Sequence, residues 1–208
     1  MRILICEDHK IVRDGLKQIL QQLEGVSYIV EAGSGNEAFN QLKSQSFDIL
    51  LLDISLPDRS GLEVLETVKA TWPLTNVLML SMHPQEQYAI HALKRGASGY
   101  LTKETDAEEL LIAIKCVAKG GKYISLSLAE NIAHHIVKES KMQKYEQLSL
   151  REFEILIKLA NGMSLQEIGK ELFISGKTVS TYRSRIMEKM EFTKNTELTR
   201  YCIETKLI

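Results

Sequence analysis

The stretch Phe47-Asp-Ile-Leu-Leu-Leu-Asp-Ile-Ser-Leu-Pro-Asp-Arg-Ser-Gly61 decides the fold. A run of aliphatic residues, Ile49 to Leu52, meets an acid, Asp53, and then Pro57 and Gly61 break the chain. A short apolar run without polar alternation, bounded by turn residues, is the pattern of a strand buried on both faces, as in a parallel sheet. The acid at its end is either a turn or helix cap or a group placed for chemistry.

The flanking sequence repeats the strand and spaces it with helices. Arg2 to Cys6, Ser27 to Val30, Asp48 to Leu52, Val77 to Leu80 and Gly99 to Leu101 read as strands. Ile11 to Leu23, Asn36 to Leu42, Leu62 to Thr71, Glu86 to Leu93 and Ala107 to Val117 carry helical spacing between and after them. This βα alternation predicts an α/β, flavodoxin-like, doubly wound five-stranded parallel sheet in the order 2-1-3-4-5. Past Gly120-Gly121 the pattern changes: Ser127 to Glu139 reads as a further helix and Ser140 to Gln147 as a polar linker.

Residues 148–208 read as a small all-α domain of four helices. Ser149-Leu-Arg-Glu152 and Ser164-Leu-Gln-Glu167 fit capping boxes, while Ser175 and Asn195 are the expected caps of the last two helices. The tight turns at Asn161-Gly162 and Phe173-Ile174 favour a helix-turn-helix over an independent bundle. The expected domains are 1–121, a helical linker at 122–147, and 148–208.

Composition sets the broad class. With 208 residues, 44% hydrophobic and 25% charged, the chain has the make-up of a globular protein, not a disordered one. Neither a signal peptide nor an apolar run of about 18 residues is evident, so a cytoplasmic protein with no membrane partner is expected. Cys6, Cys116 and Cys202 are too few and too scattered for a disulfide framework or a zinc site. Residues 1–140 carry 14 Lys+Arg against 18 Asp+Glu, and residues 141–208 carry 12 against 9. An acidic front and a basic back point to two tasks, the second against a polyanion.

In the order 2-1-3-4-5 the strands deliver Glu7-Asp8, Asp53, Ser81 and Thr102-Lys103 to one rim, where open parallel sheets bind ligands. Crowded carboxylates need a cation or must stay partly protonated; an all-oxygen set suits Mg²⁺, which leaves an oxygen of Asp53 free as a nucleophile for a phosphoryl group. Lys103 would share the new charge and the Ser81 hydroxyl would donate to it. Capping alone does not account for complementary chemistry on four strand ends.

These residues resemble the receiver domain of two-component response regulators. The resemblance implies that Glu7, Asp8, Asp53 and the Ser55 backbone carbonyl hold Mg²⁺, that Asp53 is the phosphoacceptor, and that Ser81 and Tyr100 form the switch. It departs from many relatives in its Glu-Asp acidic pair and in Glu104 after Lys103. His83, two residues past Ser81, is placed by the resemblance where a side chain influences loss of the phosphoryl group. Otherwise it is an ordinary loop histidine. His9, His91, His134 and His135 show no convergent metal spacing.

Leu148 to Leu156, Ala160 to Gly169 and Leu172 to Val179 resemble the LuxR-type DNA-binding domain of NarL/FixJ regulators, whose third helix enters the major groove. In that helix Val179, Tyr182, Ile186 and Met190 have core spacing. Lys177, Thr178, Ser180, Thr181, Arg183, Ser184, Arg185 and Lys189 are the expected DNA contacts, with Ser180, Thr181 and Ser184 facing bases. Leu198, Tyr201 and Cys202 of the fourth helix either pack inside or pair two subunits.

The expected function is a DNA-binding transcriptional response regulator, not an enzyme, phosphorylated on Asp53 by a sensor histidine kinase, acting on promoter DNA and dimerising when phosphorylated or DNA-bound. An aspartate-nucleophile phosphatase is the rival, but such enzymes place a second acid two residues after the nucleophile, where Ser55 stands. A constitutive DNA-binding regulator with an unused receiver is the third reading.

Overall fold

The structure is a computed structural model that describes residues 1–82, 86–126, 128–129, 144–205 and 207–208. His83, His134, His135, most of the expected helix from Ser127 to Glu139 and half of the expected polar linker from Ser140 to Gln147 lie outside the described residues. The chain divides into two compact units, Met1–Ala133 and His134–Ile208.

The first unit alternates β1 (Arg2–Cys6), α1 (Lys10–Gln21), β2 (Tyr28–Ala32), α2 (Gly35–Ser44), β3 (Ile49–Asp53), α3 (Gly61–Thr71), β4 (Asn76–Ser81), α4 (Glu86–Lys94), β5 (Gly99–Thr102) and α5 (Ala107–Ala118). The expected order 2-1-3-4-5 is present, and all pairs are parallel. A sixth strand, β6 (Tyr123–Ile124), is added beside β5. Two residues are too few to show any periodicity, so the sequence reading stopped at five strands.

β3 is buried along its whole length, as its unbroken apolar run requires. Side chains alternate across it, so Ile49 and Leu51 join Ile3, Ile5, Leu78, Leu80 and Leu101 under Leu16 and Leu20 of α1 and Leu110, Ala113, Ile114 and Val117 of α5. The opposite rows, Leu4, Cys6, Leu50, Leu52, Val77 and Met79, are equally buried. Right-handed crossovers put α2, α3 and α4 over that side.

The loop from Ile54 to Ser60 returns tightly to β3. Gly61 N–H donates to the Ile54 carbonyl at 2.7 Å. A Cβ on Gly61 would lie 1.9 Å from the Asp53 carbonyl oxygen, so only glycine fits. The loop is also pinned from the side: Asp58 accepts from Gly35 N–H at 2.9 Å and Asn36 N–H at 2.8 Å, satisfying the first amides of α2. Arg59 donates to Asn36 and lies 5.0 Å over the Phe39 ring, which stacks on Trp72 at 6.2 Å.

The second unit holds a 3₁₀ turn at Lys144–Gln147 followed by α6 (Leu150–Ala160), α7 (Leu165–Glu171), α8 (Gly176–Met190) and α9 (Asn195–Glu204). Ser149 and Ser164 form the expected capping boxes, and Ser175 accepts from Thr178 N–H at 3.0 Å. The expected cap at Asn195 is wrong. α9 begins there, Lys194 is the cap residue, and Glu197 reaches back to accept from Thr193 and Lys194 N–H.

Phe153, Leu156, Ile168, Val179, Ile186, Met190, Leu198 and Cys202 make the core, so Leu198 and Cys202 pack within their own unit. Tyr182, expected there, is only half-buried beneath the Arg185 guanidinium, and Met187 is buried instead. The helix-turn-helix is drawn tight at Gly169, where a Cβ would lie 2.7 Å from the Ile174 carbonyl oxygen. Arg151, buried, pairs with Glu154 at 2.9 Å and donates to the Leu172 carbonyl at 2.8 Å, anchoring the same turn.

Candidate functional site

Strand register assembles the rim. Cys6 pairs with Leu52, so the next residues of β1 and β3, Glu7 and Asp53, emerge at one level. Asp53 pairs with Leu80 and Ser81 with Thr102, which puts Ser81 one residue and Lys103 two residues beyond the level of Asp53. The rows Ile3-Ile5-Glu7, Ile49-Leu51-Asp53 and Leu101-Lys103 continue the face covered by α1 and α5. Three aliphatic rows therefore end in two acids and one base.

Lys103 Nζ lies 2.9 Å from Asp53 Oδ2 and 2.7 Å from Glu7 Oε2. Glu7 and Asp53 are fully buried and the lysine nearly so. Burial pushes the Asp53 carboxyl up to about 6, against the downward pull of the Lys103 hydrogen bond, with the Glu7 charge raising it further. Burial draws Lys103 down, but its hydrogen bonds to Glu7 and Asp53 outweigh this and hold it above the ordinary lysine value. One cation thus serves two buried carboxylates.

Asp8 completes the acidic set. Oxygens of Glu7, Asp8 and Asp53 lie within 4.8 Å of one another, and His9 joins them. Asp8 Oδ1 and Glu7 Oε2 are shielded from solvent, and each faces a nitrogen at 2.7 Å, His9 Nδ1 for Asp8 and Lys103 Nζ for Glu7. Three crowded carboxylates shielded from solvent fit a hard divalent cation. Sequence spacing missed His9 because it was weighed against other histidines; adjacency to Glu7-Asp8 was the available signal.

Ser81 and Tyr100 meet on the sheet's other face. Both are buried, and they are hydrogen-bonded to each other. Burial pushes the Tyr100 phenol up to about 12, the Ser81 bond lowers it and the Asp53 charge raises it. The tyrosine is thus turned inward. Ser55 contributes its N–H to the Asp53 carboxylate.

The basic helix α8 presents Lys177, Thr178, Thr181, Ser184 and Arg185 to solvent, with Ser180 and Arg183 half-buried. Two of its cations are engaged within the unit. Lys189 donates to Glu152 at 2.6 Å, and Arg183 Nε donates to Asn195 Oδ1 at 2.8 Å. Glu152 belongs to the α6 capping box; burial raises its carboxyl, but Lys189 and Ser149 together hold it below the ordinary value.

Residues 3–115 match the family described as "Response regulator receiver domain", and residues 146–202 match "Bacterial regulatory proteins, luxR family". This chain is a two-component response regulator of the LuxR-type family. The regulator is similar to "Oxygen regulatory protein NreC" of Staphylococcus haemolyticus, 34% identical over 215 positions that span 100% of this chain and 99% of that protein. It is also similar to NreC of Staphylococcus epidermidis, at 33% over 216 positions with the same coverage. Among solved structures it resembles RcsB of Salmonella enterica serovar Typhimurium "bound to promoter rprA in the presence of phosphomimetic BeF3-". That likeness has 26% identity, a TM-score of 0.68 and 97% coverage of both chains. The regulator is a DNA-binding transcription factor of two-component type, and the NarL/FixJ resemblance holds. No helix among the described residues is long and apolar enough to cross a membrane.

Proposed function

We propose that Asp53 accepts a phosphoryl group from the phosphohistidine of a sensor histidine kinase, and that this modification controls binding to promoter DNA. The N–P bond of the donor breaks as an Asp53 oxygen forms the O–P bond. The observation that carries this reading is the Lys103 ammonium set between Asp53 and Glu7 beside a buried, hydroxyl-bearing strand end. Glu7, Asp8, Asp53 and the Ser55 carbonyl would hold Mg²⁺. That ion, when bound, supplies charge neutralisation for the incoming phosphoryl group.

Lys103 exchanges a carboxylate partner for a phosphoryl oxygen, and Ser81 donates its hydroxyl proton to another. Tyr100 then keeps its inward position against the displaced Ser81. This gives two receiver states whose balance the phosphoryl group shifts. Ser55, lacking a carboxyl, cannot act as the general acid and base of a turnover phosphatase, so the regulator is not assigned an enzymatic role.

Residues 1–121 form the receiver, 122–147 the connection and 148–208 the DNA-binding domain, in a cytoplasmic protein. Lys177, Arg183 and Arg185 bind phosphates, Ser180, Thr181 and Ser184 face bases, and Thr178 and Lys189 flank them. Ile203 of α9 is 59% exposed and offers the apolar surface for pairing two copies on DNA. A solved structure of "two RcsB dimers bound to two parallel DNAs" supports, by analogy, a dimer on DNA without bearing on which helix pairs the copies.

The test is promoter binding with and without acetyl phosphate and Mg²⁺, for wild type and Asp53→Ala. Phosphorylation is expected to raise wild-type affinity and leave the variant unchanged. Equal affinity in all four conditions would favour the constitutive reading, and steady hydrolysis of the donor would favour the phosphatase.

A further inference from the structure

The exposed hydroxyls of α8 are oriented by their own helix. Thr181 Oγ1 donates to the Lys177 carbonyl at 3.2 Å, and Ser184 Oγ donates to the Ser180 carbonyl at 3.1 Å. A hydroxyl has one proton, so one directed back along the helix leaves only lone pairs facing outward. Thr181 adds a methyl group beside its oxygen. The outward chemistry at these two positions is acceptor and methyl.

Three of the four cations of α8 make contacts within the unit, and Lys177 at its start is assigned to phosphates. Lys189 is on Glu152, Arg183 is tethered through Nε to Asn195, and the Arg185 guanidinium lies 5.9 Å over the Tyr182 ring. In the major groove guanine shows two acceptors, N7 and O6, which an acceptor surface repels. An A·T pair shows the adenine N6 amino donor and the thymine methyl. An A·T pair also shows two acceptors, adenine N7 and thymine O4, and a G·C pair has its own amino donor on cytosine, so what sets A·T apart is the central position of its donor and the thymine methyl.

We propose that Thr181 and Ser184 make α8 select A·T pairs, adenine N6 donating to a hydroxyl oxygen and the thymine methyl packing against the Thr181 methyl. This rests on α8 being the element that enters the major groove. Each contact is a single hydrogen bond, not a bidentate pair, so discrimination per position is about threefold to tenfold. Affinity then comes mainly from phosphates, and sequence choice from several weak steps.

The experiment is selection of the full-length protein, in beryllofluoride and Mg²⁺, on duplexes with a randomised central window, for wild type, Thr181→Val and Ser184→Ala. Wild type is expected to enrich A·T by about threefold to tenfold at adjacent positions of each half-site. Thr181→Val, which keeps the shape and a methyl, is expected to lose enrichment at one position while its melting temperature stays as in wild type. Enrichment of G·C, flat selection despite salt-sensitive binding, or unchanged preference in both variants would overturn the assignment. Loss of all DNA binding at low salt in wild type would instead overturn the role of α8 itself.

Discussion

Asp53 is a carboxyl on a strand buried on both faces, and ionising it there is unfavourable. Its value of about 6, against 3.8 for a free aspartate, means that the folded state keeps a proton that the unfolded chain has released across that interval. Folded stability therefore falls as pH rises from 3.8 to about 6 and stays lower above it. The cost at neutral pH is at most about 3 kcal/mol, before allowing for solvent screening. Asp53→Asn keeps the shape and removes the charge. In EDTA at pH 7 it is expected to be more stable than wild type by about 1–3 kcal/mol, with no advantage below about pH 4. Urea unfolding at pH 4, 5.5 and 7 measures this, and a less stable variant at pH 7 would refute the desolvation argument. The position of Asp53 thus gives up fold stability to keep a carboxyl on the rim.

At the scale of elements, α8 shows what a single-sequence pattern reveals and what it hides. Its basic face was legible because helical spacing depends only on neighbours along the chain. The partner of Lys189 was not, because Glu152 lies in another helix and its capping role occupies its carboxylate as well. Tyr182 had core spacing, yet Met187 took the buried place, since spacing defines a stripe but not its edges. The cap of α9 was misplaced by one residue because Glu197 satisfies the first amides from inside the helix. These contacts divide the cations of α8. Arg185→Ala is expected to lower the slope of log affinity for DNA against log salt by about 1. Lys189→Ala should leave that slope nearly unchanged and instead lower the thermal stability of the DNA-binding unit. Binding titrations at four salt concentrations, paired with melting curves, separate the two; equal slope changes would return Lys189 to the DNA contacts.

At the scale of the whole molecule, two units with separate apolar cores predict two unfolding events. Differential scanning calorimetry is expected to resolve them, with Mg²⁺ raising only the receiver transition and duplex DNA only the other. A single transition moved by both ligands would contradict independent cores. The order of elements and the rim of carboxylates were readable from strand ends, because a parallel sheet sends every strand out at the same edge. The two-residue β6 and the side clamp of Asp58 and Arg59 were not, because each depends on neighbours distant in sequence. That clamp has an optical consequence. Trp72 is the single tryptophan of the chain, and it stacks on the Phe39 ring that Arg59 covers from the loop after Asp53. Any displacement of that loop changes the environment of one indole. The protein therefore carries its own fluorophore for following events beside Asp53 in real time, without a label.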